Sequence, residues 1–398
     1  MVDIGNYIVG PYNGSFNATL SVNFYNLQSP LPQAAADDII PLSKQNQHGV
    51  ATYFSLPDDA AATSVFIPDK SSRLVLDVLA SGNGDEEFWY SNIPDDYVDT
   101  FKQWNSSFLG QGSFREIVVL VDHEPVGVVW PFEVVFTGGI CFGFWRRIVG
   151  HRAFDLPTYR IDMTPFIPIL RNGTHRIQFR IRGQPETLQN WYVSGRLHVW
   201  FSSSSTYDVS PIPLNSSHYV SPKANLTARG QVGSGNTSFS INTTASRQDP
   251  SYSLEYNNLQ FYQLHANASV LVQNVSQTTS FVSPLSRGYY SFALEASEKI
   301  HSNGSIYIQA SLSQLYHRNS TDILHGFRVI EHVEVAATGV ISIDGSKGWS
   351  LGNTSIRLTY ESPRREYVRD VKVIGVQVVS DYEVDKPIGS FLQLQIPT

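Results

Sequence analysis

Short segments of alternating apolar and polar residues are the feature that most constrains the fold of this chain. In "THRIQFRIRG", residues 174–183, Ile177, Phe179 and Ile181 fall on one face of an extended segment, and the residues between them are polar. The segments "RLHVWF" and "SIYIQASLS" have the same period of two. No stretch of about 12 residues carries a helical stripe, and "DDYVDTFKQW" at 95–104 predicts one short helix at most. The pattern therefore predicts an all-β chain.

Three further runs are predicted to be strands that are buried more fully, because they are nearly continuous in apolar residues. They are "FREIVVLVD", "PVGVVWPFEVVF" and "VRDVKVIGVQVV". Gly, Pro, Asn and Ser separate these runs, and helical segments do not alternate with them. This arrangement is typical of packed antiparallel sheets rather than of βαβ units.

A Ser-rich and Pro-containing segment divides the chain. At 398 residues the chain is long enough for two domains, and "SSSSTYDVSPIPLNSS" predicts a linker over residues 202–217. Six of the seven tryptophans precede it. We therefore predict a first β-sandwich over residues 1–201 that carries the site, and a second, supporting β-sandwich over residues 218–398.

Asn-x-Ser/Thr acceptor sites for N-glycosylation are frequent, and nine of the thirteen follow residue 201. Most are expected on exposed turns, and their number predicts a secreted, vacuolar or other secretory-pathway protein, although "MVDIGNYIVGPYNG" shows no signal peptide. The acceptors are Asn13, Asn17, Asn105, Asn172, Asn215, Asn225, Asn236, Asn242, Asn267, Asn274, Asn303, Asn319 and Asn353.

Charge, hydropathy and metal-ligand spacing exclude several classes of function. The net charge of -7 and the dispersed Lys and Arg residues argue against a nucleic-acid partner. No apolar run is long enough to span a membrane. The histidines form no metal-ligand motif, so we predict neither a metal nor a cofactor. Cys141 is expected to be either a buried apolar residue or an unpaired disulfide half rather than a nucleophile.

Carboxylates beside aromatic residues are the best candidates for chemistry. In "GNGDEEFWYSN", strand alternation would place Glu87 and Trp89 on one face and Glu86 on the other. An acid beside an indole suits a carbohydrate site, and a solvated acidic loop is the alternative. Glu116 opens an apolar strand as either a rim residue or a site residue. Arg146 is either a ligand clamp or a partner of a nearby aspartate.

Four ordered blocks resemble one family of enzymes. The blocks "EEFWYSNIPDDYV", "FREIVVLVDHEPVGVVWPFEVVFTGGI", "FWRRIVGHRAFDLPTYRIDMTPFIPIL" and "NWYVSGRLHVW" look like successive segments of the peptide-N4-(N-acetyl-beta-glucosaminyl)asparagine amidase A family, the acid-active peptide N-glycanases of plants and fungi. The resemblance covers roughly residues 1–201 and is looser beyond them. It implies two jelly-roll-like antiparallel β-sandwich domains with few or no helices.

The resemblance implies hydrolysis of the amide bond that joins an asparagine side chain to the first N-acetylglucosamine of an N-glycan. An N-glycosylated peptide or protein would then be the substrate. Such a reaction needs a carboxylate for the attacking water and donors for the leaving nitrogen and the oxyanion. Glu87 and Glu116 are the predicted catalytic residues. Trp89, Trp145, Arg146 and Trp191 are the predicted substrate-binding residues.

The resemblance also raises an alternative to catalysis. Family members carry an upstream segment, and this chain starts inside the region that follows it, so a missing N-terminal segment or light chain is a further expected partner. A late start to the sequence, a processed chain and an inactive paralogue would each give this picture. The alternative function is therefore that of a catalytically inactive, secreted carbohydrate-binding β-sandwich protein.

Overall fold

The computed structural model describes most of the chain. The described residues are 35–44, 52–100, 108–135, 140–141, 143–144, 148–171, 173–184, 186–202, 225–232, 238–250, 252–265, 269–321 and 327–387, with the single residues Gly14, Asn17, Thr19 and Ser21. Only the backbone is described for 225–232. No helix within these residues is long and apolar enough to cross a membrane.

Nearly all regular structure in the described residues is β-strand, which confirms the predicted all-β class. The strands before the linker are β1 (Asp38–Leu42), β2 (Phe54–Leu56), β3 (Ala62–Phe66), β4 (Ser71–Gly82), β5 (Glu116–Val121), β6 (Glu124–Val129), β7 (Tyr159–Asp162), β8 (Thr174–Arg182) and β9 (Trp191–Phe201). Helical structure in the same described residues is limited to α1 (Ile167–Leu170) and to single 3₁₀ turns at Gly84–Glu86, Trp89–Ser91, Asp95–Tyr97 and Thr164–Phe166.

Strands β1 to β9 form two antiparallel sheets that pack face to face. Sheet I has the order β1-β9-β4-β7, with β2 also paired to β9, and sheet II has the order β3-β8-β5-β6. The alternation predicted for β8 is confirmed, because Ile177 and Phe179 are buried between the sheets and Arg176 is exposed. A Cβ on Gly195 of sheet I would lie 2.7 Å from the Phe179 ring, so the close approach of the sheets requires glycine there.

Beyond the linker, the described strands form one open sheet, sheet III, rather than the second pair of packed sheets that was predicted. Ten antiparallel strands follow one another as consecutive hairpins. They are β10 (Asn225–Val232), β11 (Ser238–Asp249), β12 (Tyr252–His265), β13 (Val270–Val282), β14 (Ser286–Ile300), β15 (Ile306–Thr321), β16 (Arg328–Asp344), β17 (Lys347–Ser362), β18 (Arg365–Ile374) and β19 (Gln377–Pro387).

Sheet III buries one face against the first two sheets. A single hydrophobic cluster includes Leu76 of sheet I, Ile117 of sheet II, and Phe292 and Leu312 of sheet III. Sheet III therefore does not need a second sheet of its own to cover this face. The predicted domain division at residue 201 stays a prediction, and most of the predicted linker lies outside the described residues.

One predicted buried run is buried only in part. The run "VRDVKVIGVQVV" forms the β18–β19 hairpin at the end of sheet III, and within it only Val371 and Val373 are buried. Gly375, with a φ of 58°, makes the turn, and Val376, Val378 and Val379 are each more than half exposed. An apolar run of this kind predicts a strand, but it does not show how much of that strand another layer covers.

Candidate functional site

The segment with Glu86 and Glu87, which we call the acidic loop, begins where β4 ends, and two glycines determine its path. Gly82 leaves no room for a side chain, because its Cβ would collide with the carbonyl oxygen of Glu86. Gly84 adopts a φ of 60°, which favours glycine. The 3₁₀ turn that follows aims Glu86 into the protein and leaves Glu87 partly exposed. The alternation assumed for this segment was therefore wrong, because the segment is not a strand.

Glu86 is the buried acid of this loop, and the sequence analysis did not select it. Its carboxylate receives two hydrogen bonds from Arg115, at 2.5 Å from Nε and 2.7 Å from Nη2. The indole Nε1 of Trp191 donates at 2.6 Å, and the backbone N–H of Leu188 donates at 2.8 Å. Four donors therefore satisfy a carboxylate that has no exposed surface. Glu86 fixes the loop to β9 and to the segment before β5.

The predicted sugar-binding indoles line the inside of this loop rather than its surface. Trp89 and Trp191 are 3% and 1% exposed, and their ring centroids lie 6.1 Å apart. Trp89 also packs edge-on against Tyr90. In this conformation neither indole presents a face to solvent, which argues against direct stacking on a sugar. Their contacts support a packing role beneath the loop.

Glu87 is a partly exposed acid of this loop, next to the buried Glu86. It is half-buried, and its backbone N–H donates to the carbonyl of Gly84 at 3.0 Å. Burial raises the pKa of the neighbouring Tyr90 hydroxyl well above its usual value, and the carboxylates of Glu133 and Glu87 raise it further. Glu87 thus lies near enough to Tyr90 for its charge to raise the pKa of the Tyr90 hydroxyl. A partly exposed carboxylate can position or deprotonate a water molecule.

The second predicted catalytic residue, Glu116, is enclosed at the contact between sheets II and III. It is 1% exposed, and Arg247 of β11 donates to it from Nη2 at 2.7 Å and from Nε at 3.0 Å. The indole of Trp130 donates at 2.9 Å, and Arg182 lies at 3.6 Å. Because neither carboxylate oxygen faces solvent, these contacts favour a structural role over proton donation. Its catalytic role stays a prediction.

The two other predicted substrate-binding residues, Trp145 and Arg146, lie outside the described residues. Their neighbour Cys141 is fully buried, as one of the two alternatives for it predicted. Its Sγ would lie 2.5 Å from a Cβ added to Gly339 of β16. This segment therefore packs against sheet III at a point where only glycine fits.

Among the described residues, no group of three or more His, Cys, Asp or Glu side chains is arranged to hold a metal ion.

A row of amide side chains on sheet III supports the loop from below. The Nδ2 of Asn258 donates to the carbonyl of Tyr90 at 3.0 Å, and the Nε2 of Gln260 donates to the carbonyl of Asn92 at 3.0 Å. The hydroxyl of Tyr262 donates to the carbonyl of Ser91 at 3.1 Å. Periodicity alone could not identify these residues. Asn258 and Gln260 lie on the buried face of β12, where the alternation of a strand predicts apolar side chains.

Glu133 is a second buried acid that the sequence analysis missed. One oxygen accepts a hydrogen bond from Gln277, and the other has no partner among the described residues. Burial raises the pKa of this carboxyl to about 7. Within the described part of the chain, no cation forms an ion pair with it, in contrast to Glu86 and Glu116. It lies under sheet III and not at the exposed rim of the loop.

The described glycosylation acceptors lie in different environments. Asn17, Asn242, Asn303 and Asn353 are exposed, and Asn274 is half-buried. Asn319 is only 8% exposed, and its Oδ1 accepts a hydrogen bond from Nε of Arg328 at 2.7 Å. Asn242, Asn274 and Asn353 lie within strands and not on the turns expected for them. Of Asn225 only the backbone is described, and Asn13, Asn105, Asn172, Asn215, Asn236 and Asn267 lie outside the described residues.

An all-β chain with a tryptophan-lined acidic loop agrees with the family resemblance of the sequence blocks, and comparison with known proteins shows the family. The chain belongs to the family described as peptide N-acetyl-beta-D-glucosaminyl asparaginase amidase A, whose model matches residues 1–216. Over 232 residues it is 36% identical to the peptide-N4-(N-acetyl-beta-glucosaminyl)asparagine amidase A of Prunus dulcis.

The alignment covers 54% of this chain and 40% of the Prunus dulcis protein, so the chain spans well under two thirds of that relative's length. No solved structure matches the chain. The family match ends at residue 216, close to the break between sheets I and II and sheet III.

Proposed function

We propose that this chain hydrolyses the amide bond between an asparagine side chain and the first N-acetylglucosamine of an N-glycan. The observation that carries the proposal is the family match over residues 1–216, which contains all of sheets I and II and the acidic loop. The relative from Prunus dulcis is named for the same amide bond. The substrate would be an N-glycosylated peptide or protein. The number of acceptor sites supports a location in the secretory pathway, which is part of the proposal.

The reaction needs a water molecule to attack the side-chain amide carbon while the bond from that carbon to nitrogen breaks. The carboxyl group stays on the peptide as aspartate, and the nitrogen leaves with the sugar as a glycosylamine, which then loses ammonia. Glu87 is our candidate for the base that takes a proton from the water, because it is a predicted catalytic acid that is partly exposed in the loop. Glu86 and Arg115 would hold the loop in place and not touch the substrate.

Mass spectrometry of a denatured glycopeptide incubated with the full chain at acidic pH tests the proposal. Activity converts the glycan-bearing asparagine into aspartate, which is about one dalton heavier than plain asparagine. We expect Glu87→Gln to lower the rate by about 100-fold or more. Asp85→Asn is the matched control, because Asp85 is an exposed acid of the same turn, and it should leave the rate within about twofold.

The alternative function is that of a carbohydrate-binding protein without turnover. The enclosure of Glu116 supports it, because one of the two predicted catalytic acids is already paired with Arg247. In that case glycopeptide binding would be measurable, no aspartate would form, and Glu87→Gln would leave the affinity unchanged. Conversion to aspartate that persists in Glu87→Gln would instead support the amidase and exclude Glu87 as its base.

A further inference from the structure

Three of the described glycosylation acceptors lie on one face of sheet III. We call this the outer face, which is the face opposite the core shared with sheets I and II. Ile241 and Val275, which adjoin Asn242 and Asn274 in sequence, are buried in the core. Because side chains alternate along a strand, Asn242 and Asn274 point outward. Thr354 is likewise buried, so Asn353 also points outward.

Each of these asparagines is paired across the sheet with a large apolar side chain. Asn242 pairs with Leu259, Asn274 with Phe261, and Asn353 with Ile374. Leu259, Phe261 and Ile374 are 46%, 37% and 56% exposed. Directly paired residues of an antiparallel sheet have Cβ atoms about 4.5–5.5 Å apart. A group attached to the asparagine therefore starts beside an apolar surface that the protein itself leaves uncovered.

The outer face is concave around these pairs and leaves room for the attached group. One hollow of about 600 Å³ is lined by Asn242, Leu259, Phe261 and Asn274. A neighbouring hollow of about 580 Å³ is lined by residues that include both Asn274 and Asn353. Between the acceptors the face carries mainly small side chains, among them Ser276, Ala293 and Ser311, together with the exposed Glu295, which pairs with Asn274 on the side away from Phe261.

We infer that this chain's own N-linked glycans, attached at Asn242, Asn274 and Asn353, cover the outer face of sheet III. The innermost sugar of each glycan packs its C–H surface on the paired Leu259, Phe261 or Ile374. This contact removes apolar area from water while the sugar hydroxyls stay hydrated. The occupant is the glycan and not a second protein, because the attachment points are inside the hollows that a protein would have to enter. The inference does not depend on the amidase activity.

Two other acceptors on sheet III mark the limits of this arrangement. Asn319 is only 8% exposed, and Arg328 packs against it by donating to its Oδ1, so a glycan on its Nδ2 would have no open path to solvent. Asn303 lies in the turn between β14 and β15, where its Oδ1 accepts hydrogen bonds from Ser305. A glycan at Asn303 would extend into solvent from the turn.

The first test maps glycan occupancy on the full chain, secreted from a eukaryotic host behind a secretory leader. Glycopeptide mass spectrometry should find glycans at Asn242, Asn274 and Asn353 and an unmodified Asn319. Unmodified asparagine at the first three sites in protein that carries a glycan at Asn303 would overturn the inference. Aspartate at those sites would also overturn it, because the cover would then be absent from the folded protein.

The second test measures whether the glycan and its paired side chain stabilise each other. We expect Asn274→Gln to lower the Tm of the secreted protein by about 2 °C. Ser276→Ala removes the same acceptor motif and keeps the asparagine, and it should lower the Tm by the same amount. In a Phe261→Ser background, both substitutions should leave the Tm unchanged. Equal shifts in the two backgrounds would show that the glycan does not pack on Phe261 and would overturn the inference.

Discussion

Sheets I and II differ from the end of sheet III in the treatment of charge. In the first two sheets, Glu86 and Asp77 have almost no exposed surface, and donors surround both carboxylates. At the end of sheet III, the ion pairs formed by Arg365 and Arg369 lie between exposed strands. Burying a charge is costly unless donors replace its hydration, whereas an exposed pair stays hydrated.

The inner face of sheet III, which packs against sheets I and II, supplies hydrogen-bond donors to the buried groups of the first region. It supplies Arg247 to Glu116, and it supplies Asn258 and Gln260 to the loop that carries Glu87. The region that matches the family therefore depends on sheet III for partners to its buried polar groups. The exposed strands β18 and β19 supply no such partners. Substitutions of buried charges and of exposed charges should therefore differ sharply in their effect on the free energy of unfolding.

The largest effect should follow Arg247→Met, which removes a buried cation and leaves Glu116 enclosed. We expect a loss of about 3–5 kcal/mol in the free energy of unfolding, because a buried carboxylate would lose its main partner. Arg182, at 3.6 Å, lies too far away to replace both hydrogen bonds. Urea unfolding of the purified full chain measures the change.

The double variant Arg247→Met with Glu116→Gln is the control for that prediction. Removing both charges should restore at least half of the lost stability, because residue 116 is then uncharged, although the ion pair of Arg247 with Asp249 at 3.3 Å is still lost. A double variant as unstable as Arg247→Met alone would mean that Arg247 acts through packing and not through its charge. Glycan release by the double variant would in addition exclude Glu116 as an essential acid.

The next effect concerns pH and Glu133, the buried acid without a cation. Burial raises the pKa of Glu133 from 4.5 to about 7. As the pH rises above 4.5, the unfolded chain loses this proton first, so the stability of the folded chain should fall until the pH reaches about 7. We expect Glu133→Gln to be more stable than the parent at pH 8 by about 3 kcal/mol and equal to it at pH 4. Urea unfolding at both pH values checks this difference.

Asp77 gives the opposite sign and serves as the contrast to Glu133. Burial alone would raise the pKa of Asp77, but the hydrogen bond from His198 and the charges of Arg160 and Arg196 outweigh it and lower the pKa. Its stabilising contribution is present above the ordinary pKa of 3.8 and is lost as the pH falls below it. If Asp77→Asn and Glu133→Gln gave the same pH dependence, the contrast between a paired and an unpaired acid would be wrong.

A smaller effect is expected for Trp191→Phe, which removes the indole donor to Glu86 and keeps most of the ring packing. The lost hydrogen bond, at 2.6 Å, should cost about 1–3 kcal/mol because Glu86 is buried. If Trp191 has only a packing role, Trp191→Phe should leave the KM of the folded protein for glycopeptide unchanged. A KM that rises severalfold would instead support the predicted contact of Trp191 with the sugar.

The strands were predictable from sequence because a period of two is a local property. Ile177 and Phe179 are buried, as their alternation with polar residues along β8 predicted. The same assumption failed at Glu86 and Glu87, where Gly82 and Gly84 bend the chain into a 3₁₀ turn. The two glycines of "GNGDEE" were the available signal for that turn.

The partners of the buried charges could not be predicted, because they are far apart along the chain. Arg115 is 29 residues from Glu86, and Arg247 is 131 residues from Glu116. Neither separation follows from periodicity or from a local motif. The open form of sheet III was unpredictable for a related reason, since alternation shows that a strand has one buried face but not which sheet covers it.

The smallest effect is expected for Arg365→Met, the matched counterpart of Arg247→Met at the exposed end of sheet III. Arg365 donates to Asp385 at 2.8 Å and 2.9 Å, so its geometry is as good as that of the buried pair. Both side chains are about half exposed, at 52% and 47%, and water and salt screen their attraction. We therefore expect the urea midpoint to be unchanged within error at 0.15 M salt, and any small loss at low salt to disappear as salt is added. A loss comparable to that of Arg247→Met would mean that burial does not explain the difference between the two ends of the molecule.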